Sequence, residues 1–210
     1  YQNPDFVGPA GPVDPQLSIL SVQTADGRPL ALLANYSMHY VGVGGGTVSP
    51  DYYGPFREEI ESLTGAPLVA MMSQGTSGDQ HWMDYSKPRQ TADARTYGRE
   101  MARIAFRACG KIEYRRSEPL GMVETTLRLG RRVPDAERLA WARRIVAAMG
   151  ERSPRNQEEV YAREQVLLDR EPIRELKIQA LRVGDLGIAA IPCEVFAITG
   201  LKIKAQSPLR

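Results

Sequence analysis

Residues 17–39, LSILSVQTADGRPLALLANYSMH, decide the fold class. Leu17 to Thr24 alternates apolar and polar side chains and reads as a strand with one face buried. Ala25-Asp26-Gly27-Arg28 is a turn in which Asp-Gly is the hairpin signal. Leu30 to Tyr36 is the returning strand, apolar enough to lie inside a sheet. The run closes on His39 and opens into the glycine-rich loop Gly42-Val43-Gly44-Gly45-Gly46. A histidine at the C-terminal edge of a strand, beside flexible backbone, is placed to hold a metal or move a proton; the other reading is a histidine simply packed at a strand end.

Outward from this hairpin, helices and strands interleave. Tyr52 to Leu63 has helical character, with Gly65 as its stop. Pro67 to Ser73 is a continuously apolar strand of the type buried on both faces. A long polar loop follows, from Gln74 to about Gln90. Thr91 to Cys109 is the clearest helix, with Ala94, Tyr97, Met101, Ile104, Ala105 and Ala108 on one stripe. Gly121 to Arg131 is a strand, and Pro134–Met149 and Asn156–Asp169 are helices. Glu175–Val183 and Leu186–Ile191 form strands across the Gly184-Asp185 turn, and Val195 to Ala205 is a final helix. This order predicts an α/β (mixed α+β) class, a mixed β-sheet core with flanking helices. The two hairpin turns argue against a fully parallel sheet. One domain over residues 1–210 is expected, with the charged helical region 132–171 as a candidate insertion lying on it.

Composition removes several function classes. The net charge is only +2, and Arg131-Arg132 and Arg143-Arg144 are isolated pairs, so there is no nucleic-acid or membrane-surface footprint. No apolar run approaches the roughly 18 residues of a transmembrane segment. Cys109 and Cys193 match neither zinc-ribbon nor redox spacing; both are expected as buried thiols, with a single disulfide left open. The proline- and glycine-rich opening from Tyr1 through Pro15, and the ending Ser207-Pro208-Leu209-Arg210, read as cuts in a longer protein. Nothing in the sequence indicates an oligomeric state or a compartment.

Three loops carry candidate chemistry. The first is His39 with its glycine loop and Asp51, which is expected to cap the next helix. The second, Ser73-Gln74-Gly75-Thr76-Ser77-Gly78-Asp79-Gln80-His81, leaves a buried strand and holds the other histidine. Its glycines let backbone N–H groups approach a ligand, as an oxyanion requires. It is neither a phosphate loop nor a nucleophile elbow. The third is Ile191-Pro192-Cys193-Glu194, where Glu194 is expected to be partly buried unless it caps the following helix or binds something. A carboxylate and a histidine from separate strand tips are credible zinc ligands, one short of a catalytic site.

Ala34-Asn35-Tyr36-Ser37-Met38-His39, Ser77-Gly78-Asp79 and Ile191-Pro192-Cys193-Glu194 with Thr199-Gly200, in that order and at that spacing, resemble the N-terminal catalytic domain of the neutral/alkaline (non-lysosomal) ceramidase family. The likeness spans most of residues 13 to 206. Members are zinc amidases that cleave the N-acyl bond of ceramide. The resemblance implies a ceramidase-like fold, a lipid amide or other acyl substrate, and His39 and Glu194 as zinc ligands. It implies a further histidine upstream of Tyr1 and a tyrosine downstream of Arg210, so the zinc site would be incomplete in this chain. It also suggests export or a cell-surface location. One departure stands out: the family's Gly-Asp-x-Ser-Pro loop reads Gly78-Asp79-Gln80-His81-Trp82 here, with His81 in place of the essential serine. On this reading His81, Asp79 and Ser77 are the catalytic candidates, His81 as a proton carrier. Gly75, Thr76 and Gly78 are the substrate or oxyanion candidates. The alternative is a degenerate, non-catalytic binding or scaffold domain of the same fold.

Overall fold

The computed structural model describes residues 4–44 and 46–209. Tyr1 at the opening, Gly45 in the glycine-rich loop and Arg210 at the end lie outside the described residues. The chain divides into two compact units, one of Tyr1–Pro119, Val183–Gly187 and Cys193–Arg210, the other of Leu120–Arg182 and Ile188–Pro192.

In the first unit, β1 (Leu17–Gln23), β2 (Pro29–Tyr36) and β3 (Val69–Gln74) form a sheet in that order. β1 runs antiparallel to β2, with Leu20 opposite Leu33. β2 runs parallel to β3, with Tyr36 opposite Gln74. A parallel pair needs a crossover, and α1 (Tyr53–Thr64) supplies it. This helix stops at Gly65, whose φ of 61° is left-handed and favours glycine. α2 (Ala94–Cys109) starts where the Asp93 carboxylate accepts the Thr96 N–H at 2.8 Å. The core joins Leu32 and Ala34 of β2, Phe56 and Ile60 of α1, Ala70 of β3, and Met101, Ala102 and Ala105 of α2.

The buried face of α2 is rotated from the expected stripe. Gly98, Met101, Ala102 and Ala105 are buried, whereas Ile104 is 44% exposed. The reason is size. Small residues let α1 approach so closely that a Cβ on Gly98 would run into the Tyr52 carbonyl oxygen and lie 2.9 Å from the Phe56 nitrogen. That contact turns the Gly98, Met101, Ala102 and Ala105 face inward and leaves Ile104 off it.

The second unit holds β4 (Leu120–Gly130), α3 (Ala136–Met149), α4 (Gln157–Arg170) and most of β5 (Ile173–Val183) and β6 (Leu186–Ala190), with sheet order β4-β5-β6. The helical region read at 132–171 falls within it. Asp135 and Asn156 cap α3 and α4 through their side chains. Ala142, Ala162 and Val166 form a small core, with Leu139, Ile145 and Val146 packed on it. Arg152 grips Glu159 with two bonds of 2.6 and 2.7 Å, and the Arg155 N–H donates to the same carboxylate at 2.8 Å. The whole chain is therefore mixed α+β, with two three-stranded sheets and five helices among the described residues.

Two outcomes follow from this packing. Gly98→Ala gains about 1 kcal/mol of helix propensity, but the new methyl meets backbone that cannot move aside. Overpacking of this kind costs about 1–3 kcal/mol, so a net loss of stability is expected in urea unfolding. A rise would show that α1 can retreat from α2. In the second unit, the Arg152 guanidinium, then the Arg155 N–H, hold the Glu159 carboxyl down at about 2. A carboxyl lower in the folded than in the unfolded state stabilises above its ordinary value, and that contribution fades as pH falls through about 2. NMR titration of Glu159 should show this midpoint, and Arg152→Ala should raise it. An unmoved midpoint would acquit Arg152 as the cause.

Candidate functional site

Because β2 and β3 are parallel, both chains leave the sheet at the same end. His39, just past β2, and the loop just past β3 therefore exit side by side. The Gly75 N–H donates to the Tyr36 carbonyl at 2.8 Å, and the His39 N–H donates to the Gln80 carbonyl at 3.2 Å. These contacts bring together the chain's two histidines. The His39 and His81 ring centroids are 6.0 Å apart, with 51° between the ring planes. His39 is half-buried and His81 exposed. Partial desolvation, then the neighbouring His39, hold the His81 imidazole below its usual 6.5. At neutral pH it is therefore uncharged, with a lone pair on one ring nitrogen.

Gln80 fixes the loop. It is only 5% exposed, and all its polar groups are used. Its Oε1 accepts from the Asp14 N–H at 2.7 Å, and its Nε2 donates to the Thr76 carbonyl at 3.0 Å. Its own N–H donates to the Ser77 carbonyl at 3.0 Å. Asp14 is equally buried, and its carboxylate takes the Lys204 ammonium at 2.6 Å, the Gln16 N–H at 3.2 Å and the Ser37 hydroxyl at 3.3 Å. The segment before β1, the His39 strand tip, the second loop and the last helix thus share one polar network.

The third loop joins it. Gly78 N–H donates to the Val195 carbonyl at 2.9 Å. The Asp79 carboxylate accepts the Ala197 N–H at 2.8 Å, at the first residue of α5 (Ala197–Gln206). The start of α5, which Glu194 was one candidate to cap, is thus met by Asp79, across the chain. A side chain on Gly78 would strike the Glu194 main-chain carbonyl, and one on Gly200 would strike the Thr76 side chain. Glu194 itself is exposed rather than partly buried, because it lies in the irregular segment between β6 and α5 and not at a strand end. Cys193 is exposed for the same reason. Cys109 is half-buried, and both thiols are free.

The candidates sort into two groups. His39 and His81 are brought together as imidazoles. Asp79, Gly75, Thr76 and Gly78 spend their visible contacts on holding the loop against β2 and α5. Ser77 is buried, 4% exposed. Beneath the loops, the Tyr52 hydroxyl donates to the Met38 carbonyl at 3.3 Å, and the Tyr97 hydroxyl meets the Met38 sulfur at 2.9 Å. Burial raises both phenols above their ordinary value, so they are neutral struts. Asp51 departs from its expected role. α1 has no side-chain cap, and the Asp51 carboxylate instead takes the Val41, Gly42 and Tyr52 N–H groups at 2.8 Å each. That pins the glycine loop beside His39. The sequence reading missed Gln80, Asp14 and Lys204, which carry no motif. Beyond His81, the Trp82 indole N–H is buried without a partner among the described residues. An open cleft of about 320 Å³ borders Trp82, Thr91, Thr96, Tyr97 and Glu100.

The sequence matches no family model and no curated protein. Solved structures do match. A neutral ceramidase from Pseudomonas aeruginosa is similar with a TM-score of 0.64 and 18% identity, over 97% of this chain and 38% of that one. A ceramidase complexed with C2 is similar with a TM-score of 0.63 and 18% identity, over 97% of this chain and 40% of that one. The chain spans about two fifths of the length of these structures. At this identity the likeness is one of architecture, and the chain has a ceramidase-like fold.

Proposed function

We propose that this chain is part of a metal-dependent hydrolase that cleaves the N-acyl bond of a lipid amide or a related acyl substrate. The observation that supports it best is the meeting of His39 with the 75–81 loop at one sheet edge, on a ceramidase-like fold. The implied metal is zinc. The donors match it in kind, an imidazole at His39 and a carboxylate at Glu194. They do not match it in number: among the described residues no three His, Cys, Asp or Glu side chains are gathered to hold an ion. In this reading His39 and Glu194 are two ligands of a centre completed in a longer protein. When bound, zinc would polarise the scissile carbonyl.

The chain's own part is to position. Gln80 and Asp51 hold the two loops that flank His39. No helix among the described residues is long and apolar enough to cross a membrane, and an open cleft lies beside Trp82, next to the His81 loop. The imidazole of His81 takes the place of the resembled family's serine. It cannot supply a hydroxyl, so ceramide itself should be a poor substrate. An imidazole there can move a proton to the leaving amine or hold a metal ion.

The test is an assay of the full-length protein, zinc-loaded, on ceramide and on short N-acyl amides and esters. Zinc-dependent turnover of one of these is expected, with ceramide slow. His39→Ala and Glu194→Gln should each lower it by at least about 100-fold. No turnover, together with no retained zinc, would sink the hydrolase reading and leave a non-catalytic domain of the same fold, the reading that the serine-to-histidine change favours.

A further inference from the structure

We propose that His39 and His81 together bind a divalent transition-metal ion, with His81 as a ligand in its own right. The proposal rests on the hydrolase reading only for the choice of His39. It replaces the proton-carrier role expected for His81 from the sequence, and the reason is geometric.

These are the chain's two histidines, and the fold brings them from the ends of neighbouring parallel strands to a ring-centroid distance of 6.0 Å. With metal–nitrogen bonds of about 2.0–2.1 Å, two imidazoles on one tetrahedral ion have ring centres roughly 5 Å apart. The rings therefore need to close by only about 1 Å. His81 is exposed, and rotamer changes of exposed side chains are fast and small in cost. The two loops are tied to each other. His39 N–H is bonded to the Gln80 carbonyl at 3.2 Å, and the Gln80 side chain is bonded at both ends. The two histidines are thus carried by loops bonded to each other, with the His81 ring on the exposed side. Imidazole nitrogen suits zinc, nickel and copper, and cobalt serves as a zinc surrogate. A serine hydroxyl at the same position would be a far weaker donor, so the His81 substitution strengthens metal holding where it removes the hydroxyl.

The two histidines make the test direct. Zn²⁺ or Co²⁺ is titrated into the protein while the histidine ring signals are followed by NMR, with calorimetry for affinity. Both rings are expected to respond together, along a single saturating transition that fits one ion per chain. His81→Ser and His81→Asn should each weaken binding by at least about tenfold, as should His39→Ala. Circular dichroism checks that the variants keep their fold, and the two different His81 replacements guard against one failing to do so. If His39 responds with unchanged affinity in the His81 variants, or if metal binds without moving the His81 ring, the proposal is overturned. Metal binding lost with His81 while hydrolysis is absent would support this pair and count against the hydrolase reading alone. Hydrolysis present with zinc affinity untouched by His81 would do the reverse.

Discussion

Gln80 is the point at which separate stretches of chain become one site. Its amide and its backbone reach Asp14, Thr76, Ser77 and His39, and it is almost wholly shielded from water. Each buried polar partner left without its bond would cost about 1–3 kcal/mol, so these segments are locked together or not at all. Asp14 extends the lock. A carboxylate that is 3% exposed must be compensated, and the Lys204 ammonium at 2.6 Å does so from the far end of the sequence. The loops that carry the two imidazoles are held together by this arrangement rather than by any contact between the rings.

The sheet decides where that lock can form. An antiparallel β1–β2 hairpin would, by itself, send the chain back from the His39 end. The parallel β2–β3 pair, with α1 as its crossover, returns a second strand tip to the same edge. Glycines then allow the close approaches that the edge demands. Gly75 sits so near Ser37 that a Cβ would lie 2.5 Å from its hydroxyl oxygen. The glycines of the second loop thus serve packing between loop and strand, with their N–H groups turned to protein carbonyls.

Much of the fold was legible because it is local. Periodicity places every strand and helix, and Asp26-Gly27 and Gly65 mark their turns and stops. Boundaries shifted by a few residues where caps rather than patterns rule, as at Asp93, which starts α2 at Ala94 instead of the expected Thr91. The stripe itself misplaced Ile104, because the close approach at Gly98 sets which side of α2 faces α1, and a hydrophobicity pattern does not register that contact. At the site, His39 and His81 stood out as rare residues beside loops. Asp14, Gln80 and Lys204 did not, since partners separated by 66 and 190 positions leave no trace in a local pattern. The role of Asp51 was misread for a related reason: aspartate before a helix is usually a cap, and only the position of the glycine loop reveals the other donors.

α5 buries only Ala197 and Gly200. It is attached through the Asp79 carboxylate, the Lys204 ammonium and the main chain at Val195, with Thr76 lying against Gly200. Helices secured by a few polar links rather than by a broad apolar face sit low on the scale of local opening energies. Its amides should therefore exchange with solvent well before those of β2. Three of its four links end on residues 76 to 79, so the undocking of this helix and the ordering of that loop are one equilibrium. Whatever stiffens the loop, an ion or an acyl chain, slows exchange at the far end of the chain, in a helix that touches neither.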